Sequence, residues 1–238
     1  MSGSGNPPVN KASSHHSLLA NLGFNIIIPT VIMMKLSGDE YLGPAWAIVA
    51  ALAFPVIYGC RDYWRIREFN FFSALGVISV LLTGGISLLK LPPEYIAIKE
   101  AAIPGLLGVA TVLSLRTRYP LVRTFLYNDQ ILHVDKVAEA LRNHGSERAF
   151  ERRLAHASYM VAGSFFLSSV LNYVLAKVIL QSEPGTTAFT EELGQMTALS
   201  FPVIALPSML VLMAALYYLL SGIQKLTDLT LEDIFRSG

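Results

Sequence analysis

KLPPEYIAIKEAAIPGLLG, residues 90–108, is the stretch on which the fold turns. It sets Lys99 and Glu100 ahead of Pro104 and then runs on in apolar residues to Leu115. A helix rising 1.5 Å per residue needs about 20 such residues to cross roughly 30 Å of hydrocarbon. Counted back from Leu115, the span opens near Ile96, with the charged pair about one turn inside it. Proline has no N–H, so Pro104 deprives the Glu100 carbonyl of its helical donor. Neighbouring residues on a helix project about 100° apart, so Lys99 and Glu100 are expected to diverge rather than pair as residues four apart do. A polar notch follows, formed by Lys99 and Glu100 with Asn25 and Asn172 as candidate neighbours. It would suit a lipid headgroup, a partner helix or an ion. The plainer reading is a helix that starts earlier in water, with the pair as boundary chemistry; the residues alone leave both open.

The rest of the chain shares this character. Of 238 residues, 53% are hydrophobic and 15% charged, with mean hydropathy +0.50. Soluble domains carry about 25% charged residues, so this chain has too little polar surface for a soluble globule. Apolar runs at 18–36, 43–60, 71–89, 96–115, 156–180 and 199–222 predict an all-α polytopic membrane domain of six transmembrane helices over 18–222. Residues 1–17, rich in Gly, Ser, Asn and Pro, are expected to form a disordered tail rather than a cleaved signal. Residues 223–238 are expected to form a C-terminal tail. Fourteen of the eighteen Lys and Arg fall in these two tails and in the 61–70 and 116–155 loops. Basic residues stay on the cytoplasmic side, so both termini are expected there. Within the 116–155 loop, Ile131, Val134, Val137, Ala138 and Leu141 recur at helical spacing, with Gly145 as a stop. SERAFERRL then leads into span five. This helical cytoplasmic loop either lies in the membrane interface or packs as a hairpin under the bundle.

Helices in lipid associate through close packing. Gly84 and Gly85 in span three, Gly105 and Gly108 in span four, and Ser164 and Ser168 in span five are the candidate packing positions. They predict a tight centre made of spans three to five. Pro29, Pro55, Pro104, Pro202 and Pro207 predict kinks, read either as fixed shape or as transporter hinges. ALAFPVI (51–57) is nearly repeated as ALSFPVI (198–204), but on spans that run the same way, so no inverted repeat follows. The chain has no GxSxG, HExxH, P-loop or suitably placed GxGxxG motif. Its one cysteine, Cys60, excludes a disulfide framework within the chain. The chain is therefore read as not an enzyme, with no cofactor, metal or nucleic-acid partner.

An order of landmarks then stands out: MMKL (33–36), YGCRDYWRIREFNFF (58–72), LLTGGISLL (81–89), IAIKEAAIP (96–104), RYPLVRTFLYN (118–128) and FFLSSVLNYVLA (165–176). With these the chain resembles the bacterial intracellular septation protein A family, and more closely a sister group of it, across roughly residues 18–222. The resemblance implies a multi-pass inner-membrane protein tied to envelope maintenance and cell division, without catalysis. It adds weight to Gly84, Gly85, Lys99 and Asn172; the loop around 129–153 is longer than in the septation proteins. The expected partners are membrane lipids, other envelope or division membrane proteins, and a second copy of the chain. The alternative is a small solute transporter or channel using the Lys99/Glu100 notch and the proline-kinked helices.

Overall fold

The computed structural model describes residues 26–66, 71–117, 121–127 and 132–235, apart from the side chains at 58–60, 62–66, 71–77 and 124–126. The expected N-terminal tail and Asn25 lie outside the described residues. The elements are α1 (Ile28–Lys35), α2 (Gly43–Ile66), α3 (Phe71–Leu88), α4 (Pro93–Ser114), α5 (Leu121–Leu126), α6 (Val134–Asn143) and α7 (Glu147–Ile179). They continue with α8 (Thr187–Ser200), a π-helical turn (Phe201–Ala205), α9 (Leu206–Thr227) and α10 (Leu231–Ile234). Among the described residues the only extended pairing is a single bridge, Leu132 to Phe235.

Three helical runs among the described residues are long and apolar enough to cross a membrane: α4 with 22 residues, α7 with 33, and Thr187–Thr227 with 41. At 1.5 Å per residue α4 and α7 measure about 33 and 50 Å, against a hydrocarbon layer of roughly 30 Å. At most 28% of their most apolar stretches is buried, which leaves an apolar surface that water solvates poorly. Gly43–Ile57 and Ile78–Leu88 are shorter apolar helices. The 41-residue run departs from the expected span boundary at 199, because its first turns continue back to Thr187. It contains the π-turn, where the Leu206 N–H reaches back to the Phe201 carbonyl. Pro202 and Pro207 each lack the N–H of a regular turn, and a π-turn absorbs that loss.

The chain divides into two compact units, 1–96 with 177–198, and 97–176 with 199–238. In the first, Met33, Ala47, Ile48, Phe189 and Leu193 are buried. Gly194 of α8 lets α1 come close: a Cβ there would stand 2.8 Å from Met34 Cγ and 3.2 Å from the Thr30 carbonyl. The Thr187 hydroxyl donates to the Ser37 carbonyl at 3.3 Å. Glu192 closes the turn before α8, accepting from the backbone N–H groups of Gln181 and Ser182 and from the Ser182 hydroxyl. Lys177 pairs with Glu94 at 3.1 Å.

The second unit is built on one apolar cluster. Val137 and Leu141 of α6, Phe150 and Leu154 of α7, Leu219 and Ile223 of α9, and Ile234 of α10 are all buried in it. Of the stripe read from the loop sequence, Val137 and Leu141 are buried in this cluster and Val134 packs against it, while Ile131 lies outside the described residues. Gly145, at φ +59°, ends α6 as the sequence predicts. The Ser146 hydroxyl then ties the turn to the Leu226 carbonyl at 2.9 Å.

Residues 228–235 are held rather than loose. Asp228 turns in the left-handed region at φ 55°. Thr230 and Asp233 form a capping box on α10. The His133 N–H donates to the Ile234 carbonyl at 2.9 Å, and Lys136 pairs with Asp233 at 2.6 Å. The Lys136 hydrogen bond, followed by those of the Thr230 side chain and backbone, lowers the Asp233 pKa to about 2. A depressed carboxylate stabilises the fold above its unfolded value, about 3.9, and loses that contribution as pH falls through its folded value. Hydrogen exchange of the α10 amides, referenced to the intrinsic rate at each pH, is expected to show constant protection from pH 7 to 5. Protection should fall between about pH 4 and 2, and Asp233→Asn should remove that step.

Candidate functional site

The notch is carried by α4 and α7, which run antiparallel in the second unit. Two contacts set their register. The Ser169 hydroxyl donates to the Ala101 carbonyl at 2.7 Å, and a Cβ at Gly108 would stand 2.9 Å from the Phe166 ring. The first contact falls one residue past Glu100, whose carbonyl is the one that Pro104 leaves without its helical donor. Gly105 makes room for that bond, since a Cβ there would lie 3.1 Å from Ser169 Oγ.

Lys99 and Glu100 do pair: Lys99 Nζ lies 2.6 Å from Glu100 Oε1, with the side chains 9% and 25% exposed. The expectation that adjacent residues point apart is corrected here. That rule describes the Cα–Cβ directions, whereas the four-carbon lysine stem bends across the 100° gap. Asn172, one turn beyond Ser169, is level with this pair, but its amide is turned along its own helix. It donates to the Ser168 carbonyl at 2.8 Å and approaches the Ser168 hydroxyl at 3.4 Å. Asn25, the remaining expected member of the notch, lies outside the described residues. Among the described residues, the notch thus consists of one ion pair with Asn172 level with it.

The packing positions divide. Gly84 allows close approach in the first unit, with a Cβ there 2.6 Å from Leu52 Cδ1, whereas a Cβ at Gly85 meets nothing within 4 Å. Ser164 bonds the Ser208 carbonyl of α9 at 2.7 Å, so it fastens the fifth expected span to the sixth. Ser168 serves Asn172 of its own helix, and the α4 contact falls to its neighbour Ser169.

Two clusters carry no signal in linear spacing. Arg153 of α7 crosses α9 where Gly222 leaves room: a Cβ at Gly222 would fall 2.2 Å from Arg153 Cδ. Its guanidinium lies 4.9 Å from the Tyr218 ring centroid and donates to the Tyr218 carbonyl at 3.3 Å. This is a cation–π contact with a hydrogen bond added. An open cavity of about 260 Å³ is lined by buried Tyr127, Leu141 and Phe150 and by exposed Arg123, Glu147 and Glu151. Arg123 pairs with Glu151 at 3.2 Å.

Comparison with known protein families, curated proteins and solved structures finds no match.

Gly108→Leu is expected to destabilise the protein by about 1–3 kcal/mol through overpacking on Phe166. Ser169→Ala should cost about 0.6–1.7 kcal/mol, and Gly85→Ala should be neutral or stabilising by up to about 1 kcal/mol. Reversible unfolding in mixed micelles, followed by circular dichroism, measures all three.

Proposed function

We propose that the chain is a six-span bacterial inner-membrane protein with both termini in the cytoplasm, acting without catalysis as a structural or interaction component in envelope maintenance or division. The observation that carries this reading is that Lys99 and Glu100 are spent on one another. Lys99 pairs with Glu100, the Ser169 hydroxyl donates to the Ala101 carbonyl, and the Asn172 amide bonds its own helix. A solute or ion site keeps polar groups available to its ligand, whereas a bundle that presents helices to lipids and partner helices consumes them internally. The likeness to the septation family, drawn from residues 18–222, points the same way.

A small transporter or channel is the second reading. The π-turn at Phe201–Ala205 favours it, since such turns are frequent at functional sites in helices.

Three tests bear on these proposals. With Cys60 replaced by Ser, single cysteines at Asp39, Pro92 and Pro184 should react with an impermeant maleimide from outside intact cells. Cysteines at Lys136 and Thr230 should react only after lysis; any other pattern rejects the six-span topology. In a deletion strain, Lys99→Ala and Glu100→Gln should accumulate normally in the membrane yet fail to restore envelope integrity. Full restoration by both would remove the notch from the function. Saturable solute uptake by the reconstituted protein would favour the transporter.

A further inference from the structure

The first turns of α7 sort their charges by face. Glu147 and Glu151 line the cavity beside Tyr127 and Phe150, where Arg123 pairs with Glu151. Arg153 is drawn to Tyr218 of α9. Arg148 and Arg152 are left outward, both exposed. The Arg152 Nε–H donates to the Arg148 carbonyl of its own helix at 3.4 Å. Neither arginine lies within ion-pair reach of a carboxylate among the described residues. The acidic and basic residues of ERAFERRL, nearly balanced in the sequence, are thus separated in space.

The outward face has a further pattern. At 100° per residue, Arg148, Arg152, His156 and Tyr159 share one side of α7, which continues through Phe166, Val170 and Val174. All seven are exposed. Basic, then aromatic, then apolar is the order of headgroup, interface and hydrocarbon met on entering a leaflet. The exposed stretch from Tyr159 to Val178 measures about 29 Å, matching a hydrocarbon core of about 30 Å. Exposed Arg116, just past the end of α4, comes level with His156 by the register that Ser169 and Phe166 set. Arg152 stands about 10 Å outward of Tyr159, a gap bridged by its side chain and a screening length of about 8 Å.

We infer that Arg116, Arg148 and Arg152 form a binding surface for the headgroups of anionic phospholipids in the leaflet on this side. The inference rests on the membrane reading of the chain. It goes beyond the polar notch, which lies toward the other end of α4. Its chemistry is that of guanidinium groups on phosphate, in a place where the acidic neighbours have been turned away.

The test uses the full chain in phosphatidylcholine vesicles carrying a trace of spin-labelled phosphatidylglycerol or spin-labelled phosphatidylcholine. The measured quantity is the motionally restricted fraction of each lipid. The wild-type chain is expected to retain phosphatidylglycerol about tenfold more strongly at low salt, with the preference shrinking as salt rises. The triple variant R116Q/R148Q/R152Q should bring the two lipids within about twofold of each other, while R116K/R148K/R152K keeps most of the preference. An unchanged preference in the glutamine variant would overturn the inference, as would equal retention of both lipids by the wild type or equal loss in both variants. Displacement of phosphatidylglycerol by millimolar inorganic phosphate would mark a free-anion site instead and overturn it too. Release of the chain from the vesicles by alkaline carbonate would reject the membrane reading itself. That result is separable from a lost headgroup preference in a chain that stays inserted.

Discussion

A backbone carbonyl whose helical donor is missing must find another, and in apolar surroundings only the protein can supply it. Leaving it bare costs about as much as a lost hydrogen bond, and more away from water. Pro104 creates that need at the Glu100 carbonyl of α4, and at the next residue the Ser169 hydroxyl of α7 donates to the Ala101 carbonyl. The bond requires a close approach of α4 and α7, which Gly105 and Gly108 permit. Serine and glycine are thus parts of one contact, in which the small residues allow the approach that the hydrogen bond needs. Elsewhere the same need is met within the helix. At Phe201–Ala205 the ladder lengthens its step, and the Leu206 N–H reaches Phe201.

The second unit shows how burial organises charge. Its apolar cluster fixes α6, α7, α9 and α10 against one another. Once α7 is held by Phe150 and Leu154, its remaining faces are assigned. Glu147 and Glu151 turn toward Arg123, Arg153 lies over Tyr218, and Arg148 and Arg152 are left outside. No term in the local sequence prefers this arrangement; it follows from which residues of the helix the core takes.

The notch shows what periodicity reads well and what it reads badly. The loss of a donor at Pro104 follows from covalent structure and was legible. So was the value of small residues at Gly84, Gly105 and Gly108, where a side chain would collide with Leu52, Ser169 or Phe166. Gly85 carries the same signal yet faces open space, because one residue of offset turns a helix by 100°. Lys99 and Glu100 were misread for a related reason. Spacing rules state where a side chain leaves the backbone, and lysine is long enough to end elsewhere.

Helix and apolarity were therefore properties of the sequence alone. The helix of α4, the stop at Gly145 and the apolar stripe of α6 are encoded within a few turns, where backbone hydrogen bonding and side-chain period act over short distances. By contrast, α7 runs unbroken from Glu147, where a separate helix leading into a span at 156 is expected. The two near-identical segments mark the limit. ALAFPVI runs through α2 as regular helix around Pro55, whereas ALSFPVI enters a π-turn with Pro207 close behind. Which serine reaches a carbonyl of the neighbouring helix, which arginine lies on Tyr218 and which helix faces stay open were decided only in the folded chain. These depend on residues as far apart as Arg153 and Gly222, whose meeting is set by the packing of whole helices and leaves no trace in their local sequence.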